Sequence, residues 1–522
     1  PYVTNLDRPV FALRNLPETV KGALFARYSR SGKTLRRLFL DEFADQVESG
    51  ERVGEVAEVG ITRATALFQR VFDEYGDDSV AQLGGAHVAC EQASNLLTKL
   101  LEWGRLAAYL EQSTRYVSYA DRPGGRWRYH LDPDVEASDL GPEYRRVLDG
   151  LFATYAELLP ALVDHLARVV PREPGSSEGP AWRRAVKARA LDGLRGLLPA
   201  ATTSNLGIFA SGQAYEALLL RLRASALPEA RSYADLLLEE LRQVIPAFLR
   251  RVDREDRGIA WSRYLAETAA ETAKVVEAVL GEAPPVLQAG PSVELTEFDP
   301  AGEDKVLTAI AYPHLGVGEA EVAARVARLG AEERDRLLAA YVGQRGNRRH
   351  RPGRAFERAV YTFDVVADYG AFRDLQRHRM CAIVWQPLTP GLGYDLPGDV
   401  AEAGLAEPFE AAMAASAGLY AALTPRFPAQ APYAVGLAHR IRFAMTMNAR
   451  ELMHLAELRS TPQGHPAYRL VAQEMHRLVA TEAGHRGIAE AMRFVVHDEV
   501  GLGRLAAERR LEARLEDPAG SA

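Results

Sequence analysis

Between Gly281 and Gly302 the helical periodicity of this chain stops. The stretch carries Gly281-Glu282-Ala283-Pro284-Pro285, then Gly290-Pro291, then Pro300-Ala301-Gly302. Proline fixes φ and removes an amide donor, and glycine loosens the backbone, so such a segment ends helices and suits a connection. It divides the 522 residues into halves of comparable size. A chain of this length exceeds one ordinary hydrophobic core. The sequence therefore predicts domains over 1–282 and 292–522.

Most of the chain reads as helix. Apolar residues recur at three-to-four spacing over 85–112, 143–169, 207–250, 258–280, 319–341 and 436–483, the signature of a one-sided helix. Strand-like stretches are few. Val360-Tyr361-Thr362-Phe363-Asp364-Val365 alternates and is rich in β-branched and aromatic residues, and Arg126-Trp127-Arg128-Tyr129-His130-Leu131 is a second candidate.

The halves suggest a repeat. Leu101-Glu102-Trp103-Gly104-Arg105-Leu106-Ala107-Ala108 aligns with Leu375-Gln376-Arg377-His378-Arg379-Met380-Cys381-Ala382. The twelve residues from Gly212 to Arg223 align with the twelve from Asn448 to Arg459, both amphipathic and both ending in Leu-Arg.

Composition narrows the function classes. At 47% hydrophobic and 25% charged the chain is that of a globular protein. A net charge of −7 argues against bulk nucleic-acid or membrane-surface binding. Any anionic ligand must be held by a local cluster of arginines. The two cysteines, Cys90 and Cys381, sit in apolar settings, which fits a reducing, cytoplasmic protein without a cysteine-built zinc site. No apolar run is long enough to span a bilayer, and Pro1 to Asp7 lack signal-peptide character. No clustered carboxylate set or His-Glu-x-x-His pattern predicts a metal.

Two polar motifs stand out. Arg377-His378-Arg379 lies in the second half, and Glu111-Gln112-Ser113-Thr114-Arg115-Tyr116 in the first. Together they resemble the split parts of one signature, the Arg-His-Arg … Asn-Glu-x-Ser-x-Arg-Tyr of flavin-dependent thymidylate synthases, where both parts normally occupy one continuous stretch. The second half resembles that family further in Phe356-Glu357 with its following strand, and in Asn448-x-Arg450-x-x-x-His454-x-x-x-x-Arg459. It has Ala382, Val384-Trp385, Pro387 and Thr389-Pro390 where the family keeps its substrate loop. The first half has Trp103-Gly104-Arg105 for Arg-His-Arg and Leu110 for the loop asparagine. It keeps Glu111, Ser113, Arg115 and Tyr116, and Arg195-x-x-Leu198-Pro199 resembles the family's Arg-x-x-Leu-Pro element. Pro432 takes the place of Arg195 in the second half.

The resemblance implies an α+β fold of two tandem domains, each a small sheet flanked by helices and packed as a pseudo-dimer. A homodimer of such chains would form a pseudo-tetramer. It implies one composite site per chain, with Arg377, His378, Arg379, Asn448, Arg450 and His454 holding FAD. Glu111, Ser113, Arg115, Arg195 and Arg459 would hold a dUMP-like nucleotide, with Ser113, Arg115 and Arg459 closest to the chemistry. The implied reaction methylates dUMP to dTMP using methylenetetrahydrofolate and NAD(P)H.

Residue chemistry agrees with nucleotide binding. In an extended segment Glu111, Ser113 and Arg115, spaced by two, share one face, and a guanidinium forks onto phosphate oxygens. On a helix Arg450 and His454 are neighbours, and Asn448 and Arg459 lie about three turns apart. Each motif alone also has a plainer reading. Arg377-His378-Arg379 could be a solvated helix end, Glu-x-Ser-x-Arg-Tyr a surface turn, and the basic run Gln344–Pro352 a solvated loop. Glu451 and Glu457 are expected to face solvent. Two further readings stay open: a relative acting on another pyrimidine nucleotide, and a binding protein without catalysis.

Overall fold

The computed structural model describes residues 2–28, 31–42, 82–170, 179–281, 289–498 and 501–516. The chain forms two compact units. Residues 1–112 and 203–283 make the first, and 113–202 with 284–522 make the second.

The first unit opens its sheet with β1 (Gly85–Ser94), α1 (Asn95–Leu101) and β2 (Ala107–Glu111). The chain then enters the second unit for the long helix α2 (Gly141–Val169) and α3 (Pro180–Leu194). It returns to the first for β3 (Thr203–Ser211), α4 (Gly212–Arg223), α5 (Pro228–Val244) and α6 (Ala260–Leu280). Back in the second unit follow β4 (Ser292–Phe298), α7 (Gly302–Leu315), β5 (Val360–Asp368), α8 (Tyr369–Leu375) and β6 (Ala382–Trp385). The last elements used here are α9 (Ala406–Leu423), β7 (Arg440–Asn448), α10 (Ala449–Arg459) and α11 (Pro466–Thr481).

Among the described residues each unit carries one small antiparallel sheet, so the fold is α+β. The orders are β1-β3-β2 and β4-β5-β7-β6. Within each, the same series recurs: strand, short helix, strand, and later a central strand running into a helix. Four strands end on a residue that caps the helix behind it. Ser94 accepts from the Leu97 amide, Asp368 from Ala371, Ser211 from Ala214 and Asn448 from Glu451. A side-chain oxygen satisfies an orphan amide in each case. The caps pair Ser211, rather than Gly212, with Asn448, a one-residue shift from the sequence alignment. Helix ends at Leu101 and Leu375 coincide as aligned.

The expected helix over 85–112 is two strands and a short helix. The cause is a bulge between Cys90 and Ala93 in the pairing of β1 with β3, where Gln92 has φ 58°. A bulge inserts a residue and breaks the alternation. The buried positions Ala86, Cys90 and Ala93 are thereby spaced four and three apart, which imitates a helical period. The expected helices over 207–250 and 436–483 likewise begin with strands, β3 and β7. There Leu206, Ile208 and Ala210, and Ile441, Phe443, Met445 and Met447, alternate into the core. The region 319–341 is two helices, Glu319–Val326 and Ala331–Val342, parted where the Gly330 amide donates to Glu333 at 2.9 Å. Residues 126–131 form no strand; a single bridge joins Tyr129 to Thr202, and Trp127 stacks on Phe152. Strand β5 and helices α2 and α6 lie where the pattern predicts. Within the Pro- and Gly-rich stretch, residues 292–298 are β4, paired with β5.

One pairing inside the second unit bears on the repeat. Residues 196–201 run antiparallel to 433–438, with the Ala200 amide donating to the Val435 carbonyl at 2.8 Å and Leu437 to Leu198 at 2.9 Å. At its centre Pro199 bridges Gly436. Pro199 lies four residues before β3 and Gly436 four before β7, the same offset from the strand that follows.

Candidate active site

The site is built where α8, α10 and α11 of the second unit approach one another. Arg377 and His378 follow the last residue of α8, and α10 carries Glu451, His454 and Arg459. The Nε of Arg459 donates to Nε2 of His378 at 2.9 Å. A guanidinium is always a donor, so that nitrogen is an acceptor and the proton sits on Nδ1, facing Oε1 of Glu451 at 3.1 Å. Glu451 and Arg459 lie eight residues apart on α10, close to two turns, and His378 spans them. Burial, and then the charges of Arg459 and Arg351, hold His378 well below its ordinary value. It is neutral in the physiological range.

Asp374, on α8, is the focus of the arginines. It lies 3.2 Å from Nη1 of Arg195, 3.9 Å from Arg459 and 4.0 Å from Arg377. Burial alone would raise its pKa, but Arg195, Arg377, Arg459 and Arg115 outweigh that and hold it far below the carboxylate range. Arg115 is gripped by Asp192 through both oxygens, at 2.8 and 2.9 Å, and donates to the Gln463 carbonyl and the Tyr468 hydroxyl. Arg504 reaches both oxygens of the same Asp192. The guanidinium groups of Arg115 and Arg459 lie 5.3 and 5.4 Å from the centre of the Tyr468 ring.

The remaining predicted residues divide. Asn448 caps α10. Arg450 donates to the Pro352 carbonyl at 3.1 Å, and His454 Nδ1 meets Arg351 at 2.9 Å, with its ring 5.2 Å from that of His378. Arg377 is exposed and Arg379 half-buried. Ser113 does not continue an extended segment: its carbonyl accepts from Tyr116 and Val117, and its hydroxyl from the Arg115 amide, so 113–117 is a turn. The shared face proposed for Glu111, Ser113 and Arg115 therefore does not form. Glu111 ends β2 in the first unit, buried beside Lys99 at 3.4 Å.

Three further expectations are corrected. Glu451 is buried against His378. Glu457 is 1% exposed and takes both Nη atoms of Arg345 at 2.6 Å. Arg345 is thus an anchor inside the core and not part of a solvated loop. Charge alone pointed these groups outward, but a paired charge can be buried. Asp374, Asp192, Glu451 and Tyr468 were missed. Two had a usable signal: Asp374 precedes Arg377 by three, and Glu451 sits one turn after the cap Asn448.

His378, Glu451 and His454 place ligand-type atoms within 4.8 Å of one another. Arg459 and Arg351, however, donate to their ring nitrogens. Two guanidinium groups aimed at those nitrogens repel a cation and suit an anionic or polar ligand. Among the described residues no helix is long and apolar enough to cross a membrane.

The second unit of this α+β chain thus holds a polar centre in which the buried Arg115 and Arg195, with Arg459, converge on Asp192 and Asp374. The chain belongs to the thymidylate synthase complementing protein family, whose model matches residues 25–247 and 318–483. It is 39% identical over 517 residues to a UPF0159 protein of Chlamydia muridarum, covering 98% of this chain and 97% of the relative. A UPF0159 protein of Chlamydia pneumoniae is 36% identical over 519 residues, covering 98% and 96%. UPF0159 protein Ta1429 of Thermoplasma acidophilum is 31% identical over 520 residues, covering 94% and 98%. Among solved structures, the UMP/dUMP methylase PolB from Streptomyces cacaoi bound with 5-Br dUMP is 21% identical, covering 40% of this chain and 99% of that one, at a TM-score of 0.32.

Proposed function

We propose that the protein is a flavin-dependent thymidylate synthase that methylates a dUMP-like nucleotide, with methylenetetrahydrofolate as carbon donor and NAD(P)H as reductant. The observation that carries this reading is the arrangement around Asp374. Arg195 from the first half of the sequence and Arg377 and Arg459 from the second lie within 4.0 Å of its carboxylate. Arg195, replaced by Pro432 in the second half, and Arg377, replaced by Trp103 in the first, lie in one unit, which supports a composite site, and family membership supplies the chemistry to expect.

In this reading Arg195 and Arg459 neutralise the nucleotide, with Arg115 behind them on Asp192. Arg459, held by His378 and Glu451, donates to the pyrimidine. Arg377 and Arg379 would meet the diphosphate of FAD, with Arg351, Arg450 and His454 beside them. The residues fit such a group: Met380 and Val384, one and five residues after Arg379 in the sequence, are exposed and apolar, which suits a flat ring. Bound flavin would supply the reducing equivalents; the chain binds, orients and polarises. The two domains would be tandem repeats, and the chain a homodimer.

A second reading has a specific observation behind it. Leu110 and Trp103 stand where the family keeps its loop asparagine and its first arginine, which favours a pyrimidine nucleotide other than dUMP. The deciding experiment is the visible spectrum of the purified protein with and without added FAD, followed by titration with dUMP and with UMP. Flavin bands perturbed by dUMP support the first reading, and perturbation by another pyrimidine nucleotide alone supports the second. No flavin under any condition overturns both.

A further inference from the structure

Helix α6 (Ala260–Leu280) lies between the stretches that the family model matches, 25–247 and 318–483, so the family fold does not account for it. It starts against its own unit, with Ser262 buried and Leu265 and Ala266 half-buried. From Glu267 to Leu280, fourteen residues, every one is exposed. A helix of that length without cover is marginal in water. Thr268, Thr272, Val275, Val276 and Val279 are β-branched, which weakens it further. Such a stretch holds its shape when something packs on it.

One face of α6 carries a repeat. Trp261, Leu265, Thr268, Thr272, Val275 and Val279 are spaced four, three, four, three and four apart, the heptad seam of paired helices. Ala269, Ala273, Val276 and Leu280 widen the stripe, and Val279 and Leu280 are 73% and 78% exposed. The opposite face carries Arg263, Glu267, Glu271, Lys274 and Glu277. Three acids against two bases do not suit an anionic membrane surface, which selects a basic face.

We propose that α6 is a dimerisation helix, paired antiparallel with the α6 of a second copy of this chain. The seam reads alike from both ends, with large residues at the tips and small ones in the middle. A two-fold axis level with Ala270 sets Trp261 opposite the partner's Val279, Leu265 opposite the partner's Val275 and Thr268 opposite the partner's Thr272. The same reversal sets Arg263 level with the partner's Glu277, and Glu267 within one residue of the level of the partner's Lys274. A parallel pair would set each charge level with itself. Half the surface of a rod about 31 Å long and about 10 Å across is on the order of 500 Å² per copy, about 1,000 Å² in all, the size at which an interface becomes specific. The pairing gives the homodimer of the proposed function its contact. Flavin and nucleotide play no part in its test, so either idea can fail alone.

The test is sedimentation equilibrium of the full chain at about 100 µM, above the micromolar end of such interfaces. The wild type should give twice the 57.3 kDa of one chain. The double variant Val275→Glu, Val279→Glu should give half the wild-type mass with an unchanged far-ultraviolet circular dichroism spectrum, because both side chains are already exposed. Disulfide cross-linking reads the register, and the native Cys90 and Cys381 are buried. Ala269→Cys, on the stripe beside the axis, should link two chains. Ala270→Cys, on the far face, should not, nor should Val276→Cys, which stands about 18 Å along the axis from its own copy. A wild type that is monomeric, a double variant that stays dimeric, or cross-linking at 270 or 276 in place of 269 overturns the proposal. If the monomeric wild type also binds phosphatidylcholine–phosphatidylglycerol vesicles, the stripe is a membrane face instead.

Discussion

Arg459 and His378 are joined by one hydrogen bond of 2.9 Å, donated by the arginine. Because the arginine cannot accept, the histidine's single proton is forced to the Glu451 side. A carboxylate placed two turns earlier on the same helix therefore orients the arginine through an intervening ring. Replacing Glu451 by Ala removes the acceptor and lets the ring turn. dUMP affinity should fall about tenfold, at a stability cost of about 1–3 kcal/mol, while flavin content is unchanged. Glu451→Gln, which can still accept, should restore most of the affinity. Wild-type dUMP binding by the alanine variant would show that this chain does not hold Arg459.

Asp374→Asn removes the negative charge at the centre of the arginine cluster. With the internal competitor gone, a nucleotide phosphate should bind about tenfold more tightly or better. Isothermal titration with dUMP reads this directly. Weaker binding would mean that Asp374 arranges the arginines and does not compete for them.

Asp192 is the shared counter-charge of Arg115 and Arg504. Asp192→Asn leaves two mostly buried guanidinium groups without it, and breaking a buried pair costs about 3–5 kcal/mol. The urea midpoint should drop accordingly with the m-value preserved. An unchanged midpoint would place this network in effective contact with solvent.

Several histidines are held neutral, His378 and His439 buried and His454 and His465 partly so. His378 lies well below its ordinary value, His439 and His454 at about 4 and His465 at about 3, in each case chiefly through burial. Below the unfolded value of about 6.5 the unfolded chain takes up protons that the folded chain does not, so stability falls as pH falls, by about 1.4 kcal/mol per pH unit for each such group. Asp368, raised to about 6, acts the opposite way as a single group. The depressed Asp374 and Asp192 lose their contribution only at lower pH. Tm measured by calorimetry should therefore decrease from pH 7 to pH 5. A constant or rising Tm would show these rings to be protonated in the fold.

How much of this was legible in the sequence depended on how local the determinant is. The β5 strand and α2 announce themselves through alternation and period. The β1 strand did not, because the bulge at Gln92 gave its buried residues helical spacing. His378 and Arg459 stood out as polar residues in a recognisable order. Asp374, Asp192 and Glu451 did not, since an acidic residue on an amphipathic helix reads as solvent-facing until its arginine arrives from elsewhere in the sequence. Arg115 meets Asp192 across 77 residues and Tyr468 across 353. No window along the chain contains such pairs.

The bridge between Pro199 and Gly436 has a consequence for how such a molecule can change. In an isologous contact between identical subunits, the residue on the axis meets itself, and every substitution is made twice. Proline facing proline, or glycine facing glycine, would be the available choices. In one continuous chain the two sides are coded separately, so a rigid residue can be set against a small one. Each flank is then free to drift without its twin, which is the condition under which one half can give up a function that the other retains.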